Sequence, residues 1–117
     1  MYKLNDEILN NMEIVNDFWF EKLSFCGCGD PYSQLRLIKG VLNVVYNFHE
    51  NKDNDFNLNG IDKTMFEFIM YTLDTVEVIE HGSVITYGWL TEYGKKLRNA
   101  LNELTDEQLN DFMIVNN

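Results

Sequence analysis

The stretch VEVIEHGSVITYGWLTEYGKKL, residues 76–97, decides how the chain folds. Val76, Val78 and Ile79 read as a short strand, His81-Gly82-Ser83 as a turn, and Val84 to Leu90 as a returning strand with alternating faces. Thr91 then stands where a helix cap belongs, because its hydroxyl oxygen can accept a hydrogen bond from an otherwise unpaired amide of the next turn. Leu97, Ala100, Leu101 and Leu104 succeed it at helical spacing and mark the buried side of that helix. A hairpin over about 76–90, delivered directly into a helix over about 92–104, is the prediction.

Three amphipathic helices are predicted upstream. Asn5 or Asp6 caps the first, over 6–24, in which Ile8, Met12, Val15, Trp19 and Leu23 recur at three- and four-residue steps. Phe18, Trp19, Phe20 and Phe25 cannot all face one core from a single helix, so part of this aromatic surplus is expected at the surface or under a partner. Asp30-Pro31 opens the second helix, over 31–49, with a cap and a proline at the first helical position. It turns Leu35, Ile38, Val41, Leu42, Val45 and Tyr46 inward and Arg36, Lys39, Asn43 and Asn47 outward. Asp62 caps a third helix, over 62–74, whose apolar stripe is Met65, Phe66, Ile69, Met70 and Leu73. Thr105-Asp106-Glu107-Gln108 fits a capping box and starts a last helix over 106–114, with Leu109, Phe112 and Met113 inward. The expected architecture is one domain over 1–117, mainly α with a small antiparallel β-hairpin. A chain of 117 residues with 45% hydrophobic content suits a single core.

Tyr87-x-x-Leu90-Thr91-x-x-Gly94-x-x-Leu97 resembles the end of the wing and the start of the next helix in MarR-type winged helix-turn-helix regulators. VEVIEHG is similar to the strand that leaves their recognition helix, so the resemblance covers about 62–101 and implies a winged-helix-like domain. One residue more separates Tyr87 from Leu90 than in the usual family pattern, which points to a shifted strand or bulge at Gly88. CGCGDP together with EHGSVITYGWLTEYG also resembles a class of small bacteriophage proteins, a likeness that implies no activity.

The charge opposes what the regulator resemblance would require. A DNA reader needs donors and cations on its recognition helix and wing. The corresponding helix here exposes Lys63, Thr64, Glu67, Tyr71 and Asp74, the hairpin adds Glu77, Glu80, His81, Ser83 and Thr86, and no Lys or Arg stands between Asp74 and Gly94. With 19 acidic against 9 basic residues, a net charge of -10, the chain repels phosphate backbones and anionic lipid and favours basic partners. The expected function is therefore a non-catalytic, acidic interaction module that docks Glu67, Tyr71, Asp74, Glu77, Glu80 and Tyr87 onto a basic protein surface, such as that of a nucleic-acid-binding protein. Small acidic phage inhibitors, anti-CRISPR proteins among them, are the analogy for an accessory protein of that kind. The alternative is a dimeric DNA-binding regulator in which Lys63, Lys95, Lys96 and Arg98 touch phosphate. A homodimer is also compatible with the aromatic surplus.

No catalytic site, metal or cofactor is expected. Cys26 and Cys28 with His49 or His81 have the right ligand chemistry for zinc, but Cys-x-Cys is tighter than the usual spacing and no second pair exists; the expected state is two thiols in a tight turn. Asp55-x-Asn57-x-Asn59-Gly60 matches the opening of a calcium loop, yet Phe66 occupies the position that needs a bidentate Glu, so a polar turn and then a capped helix are expected. CGCGD lacks the Lys-Ser/Thr of a phosphate loop, and no nucleophile has a local base. No membrane span is legible along the chain and no signal peptide in MYKLNDEILNN, which makes the cytoplasm the expected location.

Overall fold

Local capping chemistry sets most of the helix boundaries. The computed structural model of the chain describes residues 4–23, 30–49 and 57–116, with side chains as far as 111 in the last helix. Helix α1, Asp6–Asp17, starts where the Asn5 side chain accepts from the Ile8 amide at 2.8 Å. Its continuation, Phe18–Lys22, widens into a π-helical turn in which the Leu23 amide donates to the Phe18 carbonyl at 3.0 Å. The extra residue in that turn buries Phe18 and Trp19 together and leaves Phe20 exposed, resolving part of the aromatic surplus. Helix α2, Pro31–His49, is capped by Asp30, which accepts from the Tyr32 amide and the Ser33 hydroxyl. Helix α3, Lys63–Thr75, is capped by Asp62 through the Met65 amide.

The hairpin is shorter than the sequence pattern predicts. Strand β1 is Ile79–Glu80, strand β2 is Trp89–Leu90, and they pair antiparallel with Ile79 opposite Leu90 and Glu80 opposite Trp89. Between them Ile85–Tyr87 form a 3₁₀ turn, so the expected alternation over 84–90 does not occur. Ile85 is drawn inward against α3, and the Gly88 amide donates back to the Ile85 carbonyl at 3.1 Å. The paired positions are consecutive on both strands, so no bulge interrupts the two-residue ladder. Gly88 passes so close to β1 that a β-carbon there would lie 2.8 Å from the Glu80 carbonyl oxygen.

Helix α4, Glu92–Glu103, begins at Thr91, and helix α5, Asp106–Asn116, comes directly after it. The capping box forms as the sequence predicts: the Thr105 amide donates to Gln108 Oε1 at 2.9 Å and the Gln108 amide to Thr105 Oγ1 at 3.1 Å. Helix α4 packs on both α1 and α2, while α2 also receives β2, α3 and α5. Val15, Phe18, Leu35, Val41, Leu42, Phe66, Met70, Leu73, Val78, Leu97 and Leu101 meet in one apolar core. Val44, unassigned by the one-sided reading of α2, is buried too, because that helix is gripped by several elements at once. Met65 departs from its predicted inward place and is exposed.

The tightest junction lies where residues 76–78 cross the start of α4. The Val78 carbonyl accepts from the Thr91 amide at 3.1 Å, while the Thr91 hydroxyl donates to the Glu77 carbonyl at 2.7 Å and accepts from the Gly94 amide at 3.0 Å. Gly94 is buried here, and a β-carbon would collide with the Val78 carbonyl oxygen. Helix propensity alone would make alanine better than glycine by about 1 kcal/mol. Overpacking against backbone reverses the sign: Gly94→Ala is expected to cost about 3 kcal/mol in urea unfolding, whereas Gly82→Ala, with open space around it, changes stability by less than about 0.5 kcal/mol.

Candidate partner-binding surface

Helix α3 carries two apolar faces where a helix on a core needs one. Phe66, Ile69, Met70 and Leu73 face the core. At about 100° per residue, Thr64, Phe68, Tyr71 and Thr75 project on the opposite side. Phe68 is 69% exposed, Tyr71 59% and Met65 46%, a run of large side chains along one outward ridge. Phe68, Tyr71, Thr72 and Thr75 border a shallow groove of about 330 Å³. Thr75 also borders a second hollow, of about 400 Å³, with Val76, Glu77, Glu21 and Lys22.

Glu67 and Asp74 lie on the flank of this ridge, both half-buried. Asp74 faces the hairpin, with its Oδ2 3.4 Å from His81 Nε2. Glu77 and Glu80 are exposed on the hairpin side, Glu80 opposite Trp89 in the ladder. Tyr87 belongs to a different grouping: its ring stacks on Phe48 with centroids 5.5 Å apart, and its carbonyl accepts from His49 Nε2 at 2.9 Å. Trp89 stands beside His49, so the end of α2 and the hairpin share an aromatic cluster. Tyr87 is thus half-exposed but anchored.

Glu77 occupies an unusual backbone position. The Val78 amide donates to the Leu73 carbonyl at 2.9 Å and the Glu77 amide to the Asp74 carbonyl at 3.1 Å, a Schellman cap that ends α3. The residue at this point must be left-handed, and glycine usually supplies it; Glu77 sits there at φ 64°. A carboxylate-bearing residue thus lines the second hollow despite a backbone conformation that disfavours it.

The cations expected to touch phosphate in a DNA-reading alternative are dispersed and partly engaged. Lys63 opens α3, while the others lie on α4. Lys95 Nζ is 3.7 Å from Glu92 Oε1, Arg98 Nε donates to Asn43 Oδ1 at 2.9 Å, and Lys96 is exposed. No Lys or Arg lies on the hairpin. Cys26, Cys28 and Asp55 fall outside the described residues. Among the described residues no group of three His, Cys, Asp or Glu side chains comes together as metal ligands would, and His49 and His81 are occupied by Tyr87, Gly82 and Asp74. Asn57 closes a turn by accepting from the Asn59 amide at 2.9 Å, ahead of the Asp62 cap, which is the polar turn and capped helix expected there. Among the described residues no helix is long and apolar enough to cross a membrane.

Sequence reasoning missed Phe68 and misplaced Met65. A strict 100° projection would have found Phe68, since it points roughly opposite Phe66, Met70 and Leu73. No protein-family model, curated protein or solved structure matches the chain.

Tyr93, in the first turn of α4, has its hydroxyl buried without a hydrogen-bond partner among the described residues. Burial, and then the carboxylates of Asp17 and Glu21, raise its phenol above the ordinary tyrosine value. A raised acid favours folding below the unfolded-state pKa, and that contribution disappears as pH climbs through the folded value. Alkaline unfolding should therefore be shallower in Tyr93→Phe, with stability at neutral pH equal or higher, as tracked by urea titration at a series of pH values. Glu77→Gly is expected to raise stability by roughly 1 kcal/mol, read by the same method, because glycine removes the left-handed strain.

Proposed function

We propose that the protein is a non-catalytic interaction module that docks the outer face of α3 and the adjoining hairpin onto a basic surface of another protein. The observation that carries this reading is the ridge of Met65, Phe68 and Tyr71, large apolar side chains exposed on one helix, with Glu67 and Asp74 on its flank and the exposed Glu77 just beyond its C-terminal end. Contiguous exposed apolar surface rimmed by polar groups is the usual mark of a protein contact. The carboxylates select the sign of the partner, and the chain's net charge of -10 reinforces them at long range. Glu77 supports the same reading, since a residue kept against its backbone preference points to a side chain under functional demand. A winged-helix-like arrangement would suit this use, with the recognition helix and wing turned from nucleic acid to protein.

A nucleic-acid-binding protein is the partner class that fits best, because its own binding groove is basic. Occupying that groove would make the module an inhibitor, in the manner of a phage or mobile-element accessory protein acting in the cytoplasm. The DNA-reading alternative lacks a cation on the hairpin and has Arg98 engaged with Asn43.

Affinity capture from the native cell, run with the wild-type chain and with Glu77→Lys/Glu80→Lys and Phe68→Ala/Tyr71→Ala variants, tests the proposal. Both double variants should lose the captured partner by at least about tenfold, a difference of about 1.4 kcal/mol. Equal recovery by all three proteins overturns it. In a salt-titrated gel shift the wild-type chain should leave duplex DNA unretarded; retardation that weakens steeply with salt would establish the regulator instead.

A further inference from the structure

A second site lies between α2 and α4, independent of the outer face of α3. Asn43 and Asn47, one turn apart on α2, line an open cleft of about 590 Å³ with Arg98, Asn99 and Asn102 of α4, Asn59 of the turn before α3, and Glu103 at its edge. The sequence places Asn43 and Asn47 simply in solvent; packing turns them toward the other helix.

Part of the cleft is tied together by side-chain hydrogen bonds. Asn43 Nδ2 donates to Asn102 Oδ1 at 3.0 Å and Asn102 Nδ2 returns a bond to Asn43 Oδ1 at 2.9 Å. Arg98 Nε donates to that same Asn43 oxygen at 2.9 Å, and its guanidinium carbon stands 3.6 Å from the centre of the Tyr46 ring. One edge and one face of the guanidinium are thereby fixed. Its remaining N–H donors are not matched by a carboxylate among the described residues, in a chain with 19 acidic side chains. A clamp between two helices needs only the Nε bond and the ring contact. The outer end of the fork has the planar, two-donor geometry that matches an oxyanion.

The other lining groups narrow the class of ligand. Arg98 and Glu103 bring opposite charges to one wall, roughly 7.5 Å apart along the α4 axis, and the other lining side chains are neutral carboxamides that both donate and accept. The cleft is therefore locally balanced. Polyanions are repelled by the whole chain, and a simple cation is opposed by Arg98. We propose that this cleft binds a free α-amino acid as its zwitterion. The carboxylate lies on the outer edge of Arg98, the ammonium is turned toward Glu103 and the carboxamide oxygens, and a short polar side chain is held by Asn59 and Asn99.

The test is an NMR titration of the ¹⁵N-labelled full chain with L-serine and L-asparagine, and with acetate and methylamine as single-charge probes. The Arg98 Nε–H and the Asn43 and Asn102 side-chain amides are expected to shift saturably with the amino acids, with Kd on the order of 1 mM or tighter. Acetate and methylamine should bind at least about tenfold more weakly. Asn99→Ala, a change that removes no hydrogen bond of the network, should keep the backbone spectrum and weaken binding about three- to tenfold. Arg98→Lys keeps the charge without the fork and should weaken it further. Three results overturn the proposal: no saturable shift, acetate binding as well as L-serine, or affinity unchanged in Asn99→Ala.

Discussion

The carbonyl of Val78 lies against the first turn of α4 at a separation that admits no side chain at Gly94. Through that contact the short hairpin is tied to the helix after it: the Thr91 amide donates to Val78, and the Thr91 hydroxyl ties Glu77 to the start of α4. Each hydrogen bond is individually modest, about 1 kcal/mol. The steric part is larger and more specific, because backbone cannot move aside as a side chain can. With the exit of α3 and the entry of α4 joined in this way, α3 has one face committed to the core and the opposite one left outside.

That geometry gives the outward face of α3 its meaning. Burying Phe66, Ile69, Met70 and Leu73 accounts for the helix; it leaves Phe68 and Tyr71 with no role in the core. Glu67 and Asp74 on its flank have the sign that disfavours phosphate, and Glu77, from a left-handed backbone, lines the hollow beyond Thr75 with Glu21 and Lys22. The apolar ridge and the acidic residues beside it, Glu77 among them, are the observations on which the proposed protein contact rests.

The polar side of the molecule obeys a different logic. Arg98 belongs by sequence to a basic cluster with Lys95 and Lys96, but helical geometry separates it from Lys96, and the Tyr46 ring and Asn43 take it into the interface with α2. A positive run in a sequence therefore need not make a positive patch, because successive residues on a helix do not share a face.

Features fixed by neighbouring residues were legible in advance. The caps at Asn5, Asp30, Asp62 and Thr91 and the Thr105–Gln108 box each join atoms two or three residues apart, so the helix starts, the mainly α class and the hairpin between α3 and α4 could be read from the chain alone. Burial of most helical stripes was legible for the same reason, since periodicity is local. The conformation of 84–90 was not: alternation in ITYGWL suggests a strand, whereas the pull of Ile85 toward α3 and the tight passage of Gly88 beside Glu80 turn it into a 3₁₀ turn. Nor could sequence bring Asn43 to Arg98, across 55 positions, or show that Met65 is left at the surface. Short-range hydrogen bonds and helical period are properties of the sequence; which exposed groups end up side by side depends on how the helices pack, and only the tertiary structure decides that.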